Sequence, residues 1–235
     1  GRSRNHRGPG SPGSGISQVV RLTLRLLVSA GGTQEPWDEV RFLGNRSSGR
    51  QGCEVARAAL DSGAEVTLVA ANVNSTLVPG GVSRLEAPTA QDMLRVMLAQ
   101  QPEADLVVQC AAVADFRPIR VPGKITRHQD EIPTLHLERT PDVLAALIQN
   151  RSPQQVIVGF GALTGTVDEV LAAGAAKARS KGADLLAVNQ VGAEQGFGSA
   201  DNTLYFFDRE GELLHTANGS KYEVGKELLD LAANL

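Results

Sequence analysis

Ser47, Ser48 and Gly49 stand where a helical pattern begins, a short way past a glycine pair that closes an apolar run. That run, residues 24–28, reads as a buried strand. Gly31 and Gly32 follow it at the point where a parallel sheet presents its ligand crevice. Free backbone N–H groups at a helix start, with the positive end of the dipole, favour an anion. Twelve residues, 33–44, separate the two glycine groups. That is too long for the tight dinucleotide turn, in which three glycines fall within six residues. The stretch, with Thr33 in its loop, predicts a phosphate or nucleotide site on a Rossmann-like frame, with an insert able to reach a substrate. Arg41 can neutralise a phosphate or carboxylate bidentately, and the Asn45 amide can donate to an acyl oxygen. By type alone, Arg41 reads equally as a solvated surface arginine and Asn45 as a cap or turn residue.

Further along, Lys177 and Lys181 are spaced i,i+4 and so share one helix face. They can bind phosphates or simply face solvent. Lys124 lies in a stretch without periodicity, where an isolated lysine is ordinarily solvated. The run Cys110-Ala111-Ala112-Val113-Ala114-Asp115 ends an apolar strand in small residues, which suit a base or ribose approaching the backbone. Cys110 itself reads as packing, because a catalytic thiol needs a neighbouring base and no His is suggested. Thr140-Pro141-Asp142-Val143 predicts a helix start, with Thr140 at N-cap and Pro141 at N1.

The elements that must position these residues alternate. Strands are expected at 24–29, 65–70, 82–87, 105–111, 155–160 and 184–189, and helices at 50–62, 90–101, 142–149, 167–181 and 221–231. Strand 105–111 is apolar on both faces and so central. Met93, Leu94, Met97 and Leu98 fall at core spacing on one helix face. Arg209-Glu210-Gly211 between runs 203–208 and 212–216 marks a hairpin. This order predicts an α/β fold: a Rossmann-like, doubly wound, mostly parallel sheet with an antiparallel edge hairpin. Residues 1–18, rich in Gly, Ser, Pro and Arg, read as a flexible leader or linker, and 19–235 as one domain. A long excursion, 116–139, reads as a lid or dimer contact.

Composition narrows the function classes. The chain has 235 residues, 42% hydrophobic and 21% charged, as a soluble domain should. A net charge of −3 gives no global field for nucleic acid or an anionic membrane. Two cysteines and four histidines show neither a disulfide framework nor metal-ligand spacing, so no protein-held metal is expected. No apolar run is long enough to span a bilayer, and no signal-peptide pattern occurs. A cytoplasmic setting fits.

The run GGTQEPWDEVRFLGNRSSGRQG resembles the opening of the bacterial phosphopantothenoylcysteine synthetases. Their pattern is G-[GP]-T-x-E-P-[IL]-D-x-V-R-x-[IL]-[ST]-N-x-S-S-G-x-x-G. Thr33, Glu35, Pro36, Asp38, Val40, Arg41, Asn45, Ser47, Ser48 and Gly49 match it. Gln34 stands where the family usually has Arg, and Gly44 where it has Ser or Thr. The resemblance extends over roughly residues 26–231, through C-A-A-V-A-D, a degenerate K-x-K-K strap beginning at Lys124 (Thr126 and Arg127 replace later lysines), and N-P-D-I with Thr140 for Asn. Leu163 replaces a family Glu after Phe160. Asn189 and the FGSADN run, 197–202, also resemble family segments, without a role that chemistry assigns.

The resemblance implies a ligase joining 4'-phosphopantothenate to L-cysteine with CTP, through an acyl-cytidylate, in coenzyme A biosynthesis. It implies that Asn45, Arg41 and Lys124 serve the acyl-cytidylate. It also implies that Ala111, Asp115, Lys124, Thr140, Pro141, Asp142, Val143, Phe160, Lys177 and Lys181 hold CTP. Magnesium is expected with the triphosphate, held mostly by phosphates and water. A homodimer is implied, and in many bacteria a fused flavin-dependent decarboxylase. Base choice between CTP and ATP does not follow from residue chemistry. Two alternatives remain at this point. A short-chain-type NAD(P) reductase would need a Tyr-x-x-x-Lys pair, but Tyr205 is followed by Arg209, and Asn72 stands where a ribose-binding acid would. A non-catalytic nucleotide-binding module would bind CTP without releasing pyrophosphate.

Overall fold

The computed structural model describes residues 23–126, 133–192 and 201–235. The leader, Arg127 and the 197–200 part of FGSADN lie outside the described residues. In chain order the elements are β1 (Arg25–Gly31), β2 (Gln34–Pro36), β3 (Phe42–Gly44), α1 (Arg50–Asp61), β4 (Glu65–Ala71), β5 (Ser83–Glu86), α2 (Ala90–Gln100), β6 (Leu106–Gln109), β7 (Phe116–Pro118), β8 (Leu137–Arg139), α3 (Val143–Gln149), β9 (Val156–Leu163), α4 (Val167–Lys181), β10 (Leu185–Gln190), β11 (Asp201–Asp208), β12 (Leu213–Ser220) and α5 (Lys221–Ala232).

Eight strands form one sheet in the order β12-β11-β10-β9-β6-β1-β4-β5. The six from β10 to β5 are parallel, and β11 and β12 add an antiparallel edge. Winding runs outward from β1 one way and from β6 the other, so a crevice opens between their C-terminal ends. On one face, α1 and α5 pack Val55, Ala59, Val224 and Leu228 against Val28, Val108 and Phe206. On the other, α2 and α3 bring Met93, Met97, Val143 and Leu147 onto Leu27, Val107 and Ile157. Helix α4 covers β10 and β11 through Val170, Ala178, Leu186 and Phe207. Gly174 in α4 is required there, because a Cβ would come within 2.7 Å of the Phe207 ring. Each fully buried large apolar side chain contributes about 1.5–3 kcal/mol. The expected core, including the methionine pair, is therefore where stability resides.

Three expectations need correction. The first strand runs two residues further than expected, to Gly31, whose φ of 97° then turns the chain. The central strand stops at Gln109 instead of 111, because the Cys110 and Ala111 N–H groups leave the ladder for the Ser29 hydroxyl oxygen, at 3.1 and 3.0 Å. Thr140 is not the N-cap of α3: its hydroxyl donates to the Ala114 carbonyl, and Asp142 caps the helix by accepting from the Ala145 N–H at 3.0 Å. Pro141 accordingly precedes the cap. The excursion is framed by β7 and β8, which pair antiparallel and lie beside the β2–β3 hairpin. Together the two hairpins expose Val40 (61%), Phe42 (55%), Ile119 (56%) and Leu137 (47%).

Candidate functional site

At the crevice, β1 and β6 stay tied beyond their ends. The Ala112 N–H donates to the Gly31 carbonyl at 2.8 Å, and the Thr33 N–H returns to the Ala112 carbonyl at 3.1 Å. The buried Thr33 hydroxyl accepts from the Ala114 N–H at 2.9 Å. Gly31 and Gly49 meet backbone to backbone: a Cβ on Gly49, whose φ is 80°, would lie 2.9 Å from the Gly31 nitrogen. This contact seats the start of α1 on the end of β1. Gly49 caps α1 with no side-chain hydrogen bond of its own, and the Gly49 and Arg50 N–H groups donate only long bonds, to the Ser47 and Ser48 hydroxyls at 3.3 and 3.4 Å. Gly31, Gly32 and Thr33 thus form the floor under the crevice, while Ser47, Ser48 and Gly49 line it.

Two lobes share Ala111, Ala112, Phe160, Gly161 and Ala162 as walls. The larger is a cleft of about 710 Å³, within the range of ligand sites. It brings together Asn45, Ala111, Asp115, Thr140, Pro141, Asp142, Val143, Phe160, Lys177 and Lys181 from five separate stretches of chain. Asn45 donates its side-chain N–H to the Ala112 carbonyl at 3.2 Å. Lys181 pairs with Asp142 at 2.6 Å. Lys177 lies over the end of β9, where a Cβ on Gly161 would stand 3.3 Å from its ammonium. Burial lowers the pKa of Lys177 and the Lys181 charge adds to this, against the pull of Asp115 and Asp142. Arg139 stacks over the Phe116 ring, 5.7 Å from its centroid, on the same lining.

The smaller lobe, about 140 Å³, faces the start of α1 and is lined by Ser47, Ser48, Asn189, Asn202 and Lys221. Lys221 is 7% exposed, with its ammonium 3.4 Å from the Asp201 carbonyl oxygen, a long hydrogen bond. Burial, then the Arg50 charge, lowers its pKa. Asn202 donates to Gln51 at 3.0 Å, and Gln51 to the Lys221 carbonyl at 2.9 Å, which fixes this wall. Burial pushes the Cys110 thiol up to about 12, so it is a neutral packing group.

Arg41 and Lys124 are not on the lining of either lobe in the single chain. Arg41 pairs with the buried Asp38 and donates to the Ile125 carbonyl at 3.1 Å. Burial alone would raise the Asp38 pKa. The N–H groups of Arg41, Val40 and Ile125, with the Arg41 guanidinium, outweigh it and hold the group well below the usual carboxylate range. The Val121 N–H donates to the Trp37 carbonyl at 2.8 Å. The strap is therefore pinned at Val121 and Ile125, leaving the Lys124 side chain between them exposed. Gln109 and Lys221 were missed by sequence reasoning. The first is the one polar residue of the run LVVQ. The second is hidden inside an ordinary Ser-x-x-Glu helix start, Ser220 to Glu223.

Among the described residues no group of three or more His, Cys, Asp or Glu is placed to hold a metal, and no helix is long and apolar enough to cross a membrane. Tyr205 is buried in β11 and lines neither lobe, which gives the reductase alternative no support.

Residues 22–235 match the family described as DNA/pantothenate metabolism flavoprotein C-terminal domain. The chain is 42% identical over 213 residues to the coenzyme A biosynthesis bifunctional protein CoaBC of Mycobacterium tuberculosis (strain H37Rv), spanning 88% of this chain and 51% of that protein. It is 36% identical over 194 residues to the protein of the same name from Escherichia coli K12, 80% of this chain and 47% of the relative. The chain thus spans about half the length of the curated relatives it matches. Among solved structures, the C-terminal domain of a CoaBC protein is similar with a TM-score of 0.70 at 32% identity, over 90% of this chain and 96% of that one. A DNA/pantothenate metabolism flavoprotein from Streptococcus pneumoniae shares the fold, with a TM-score of 0.76 at 22% identity over 90% and 99% of the two chains.

Proposed function

Because the chain belongs to the DNA/pantothenate metabolism flavoprotein C-terminal domain family, we propose that it is the phosphopantothenate–cysteine ligase of coenzyme A biosynthesis, using CTP. One observation carries this reading: a single crevice with lysines at both ends and a donor amide between them. Lys221 and the first turn of α1 suit the phosphate of 4'-phosphopantothenate. Lys177 and Lys181 suit a triphosphate, and Asn45 stands beside Ala112 where the two substrates would meet. The relatives' name, coenzyme A biosynthesis bifunctional protein, agrees with it.

The chemistry then runs in two steps. The phosphopantothenate carboxylate attacks the α-phosphorus of CTP, a P–O bond forms, and pyrophosphate leaves. The cysteine amine next attacks the acyl carbon of the mixed anhydride, loses a proton, and CMP departs as the amide forms. No enzyme nucleophile is required. The chain's work is to clamp phosphates and to offer donors where negative charge develops. Lys177 and Lys181 neutralise the leaving pyrophosphate, the Lys181–Asp142 pair opening as the phosphates arrive. The exposed Lys124 adds charge from the strap, and Asn45 donates to the acyl oxygen. Magnesium, brought by the triphosphate, would add charge neutralisation. The residues present fit an ion held mainly by phosphate oxygens and water, with Asp115 as the cleft carboxylate for it, since Asp142 already caps α3 and pairs with Lys181.

The test is pyrophosphate release with CTP, magnesium, phosphopantothenate and cysteine. With cysteine omitted, mass spectrometry should find the phosphopantothenoyl-cytidylate. CTP binding with no pyrophosphate would overturn the ligase and leave a binding module.

The apolar side chains on the two hairpins support a homodimer with the excursion as its arm. The parent protein should then sediment as a dimer and Phe42→Glu as a monomer. A monomeric parent would overturn the arm. A flavin-dependent phosphopantothenoylcysteine decarboxylase, fused or associated, and a cytoplasmic site belong to the same proposal.

A further inference from the structure

A polar side chain occupies a place in the central strand that packing alone would give to an aliphatic one. β6 is buried throughout, and Gln109, its last residue, is 6% exposed. Strand alternation puts it on the face of Val107. Register sets it between Ser29 of β1 and Gly159 of β9, at the switch point of the winding. There it lines the larger cleft beside Val143 and Leu144. Its amide oxygen is sealed from water and has no donor among the described residues. Neither neighbour answers it. The Ser29 hydroxyl accepts from Cys110 and Ala111 and makes no hydrogen bond to the Gln109 oxygen. Gly159 has no side chain, and Leu144 fills its place, 2.7 Å from where a Cβ would stand. An unpaired buried amide destabilises a fold relative to Leu or Met. A group kept at that cost, at the ligand end of the central strand, calls for a partner that the described residues do not supply.

The surroundings state what that partner is. Val143, Leu144 and Phe160 give the lining apolar surfaces, and Ala111 lets a ring approach the backbone. Lys177 and Lys181 supply charge on the same cleft. A flat heteroaromatic ring with donors and acceptors on its edge, joined to an anionic chain, meets all three conditions. A primary amide carries one acceptor and two donors, so it can engage such an edge at two points. We propose that Gln109 reads the hydrogen-bonding edge of the nucleobase at the floor of the cleft, making it a specificity residue for the nucleotide. This rests on the reading of the cleft as a nucleoside triphosphate site.

The experiment compares CTP with inorganic tripolyphosphate, both with magnesium, by calorimetric titration of the parent protein and Gln109→Leu, alongside thermal unfolding without ligand. The parent should bind CTP more tightly than tripolyphosphate. Gln109→Leu should lose about ten-fold or more in CTP affinity, a change typical of hydrogen bonds lost to a buried ligand. Its tripolyphosphate affinity should be unchanged and its unfolding temperature equal to the parent's or higher. A purely structural glutamine would show the reverse: lower unfolding temperature and equal losses for both ligands, or no loss at all. Either result overturns the proposal. So does a parent that binds both ligands equally, which would leave the phosphate site standing without base recognition. A parent that binds neither removes the site reading itself. Should Gln109→Leu fail to fold, Gln109→Met, which keeps the side-chain length, is read by the same criteria.

Discussion

Lys177→Met should lower kcat/KM for CTP about 10²–10³-fold, the scale of losing one preorganised donor to developing charge, without lowering thermal stability. The ammonium is held over Gly161 at the end of β9 and is partly withdrawn from water. Burial depresses its pKa first and the neighbouring Lys181 charge second. For a lysine, a folded pKa below the unfolded value of 10.5 means that the folded state bears a cost for the charge at neutral pH. That cost is relieved as pH rises through the folded value towards the unfolded one. Methionine removes the charge and the cost together, so the apo protein should unfold at the same temperature or a higher one. An arriving triphosphate provides the missing counter-charge, and only then does the lysine help. The parent's activity should therefore fall as pH rises through the depressed Lys177 pKa, below the range of a free lysine, and the variant should lack that limb. Steady-state kinetics from pH 7 to 10 with parallel unfolding scans decide it. A loss of activity that merely tracks a drop in stability would assign Lys177 to structure.

Asn45→Asp should divide the two half-reactions. The present amide donates to the Ala112 carbonyl, so a carboxylate there sets one acceptor against another and aims negative charge at the acyl oxygen. Activation by CTP leaves charge mainly on phosphate, beside the lysines, and should survive. Amide formation places charge on the acyl oxygen itself and should slow by about 10²–10³-fold. Without cysteine the variant should accumulate the mixed anhydride, detectable by mass spectrometry, and single-turnover addition of cysteine should discharge it slowly. An anhydride that never forms, or one discharged at the parent's rate, would remove Asn45 from the second step.

Much of this was legible in one dimension. Apolar runs separated by amphipathic helices dictate the doubly wound sheet, because period and length identify the elements and short right-handed connections leave few ways to wind them. Glycines at 31 and 49 and the Ser47-Ser48 pair disclose a loop seated on a strand end, since only glycine tolerates that backbone contact. The i,i+4 lysines declare a shared helix face. Boundaries were less legible. Whether β6 ends at Gln109 or at Ala111 depends on the Ser29 hydroxyl some eighty residues earlier, and the α3 cap passes to Asp142 because Thr140 is engaged by Ala114.

What tertiary structure alone decided is which side chains meet. Arg41 carries a functional type in a functional motif, yet in the single chain it serves Asp38 and the strap rather than the cleft. Lys221 and Gln109 carry no motif and stand on the crevice, since burial and orphaned hydrogen bonding belong to three-dimensional neighbours and leave no trace in spacing. Sequence fixes periodicity and local backbone preference, which are short-ranged. The pairing of charges and amides across β1, β6, β9 and α4 is a long-range outcome of packing, and only the folded chain determines it.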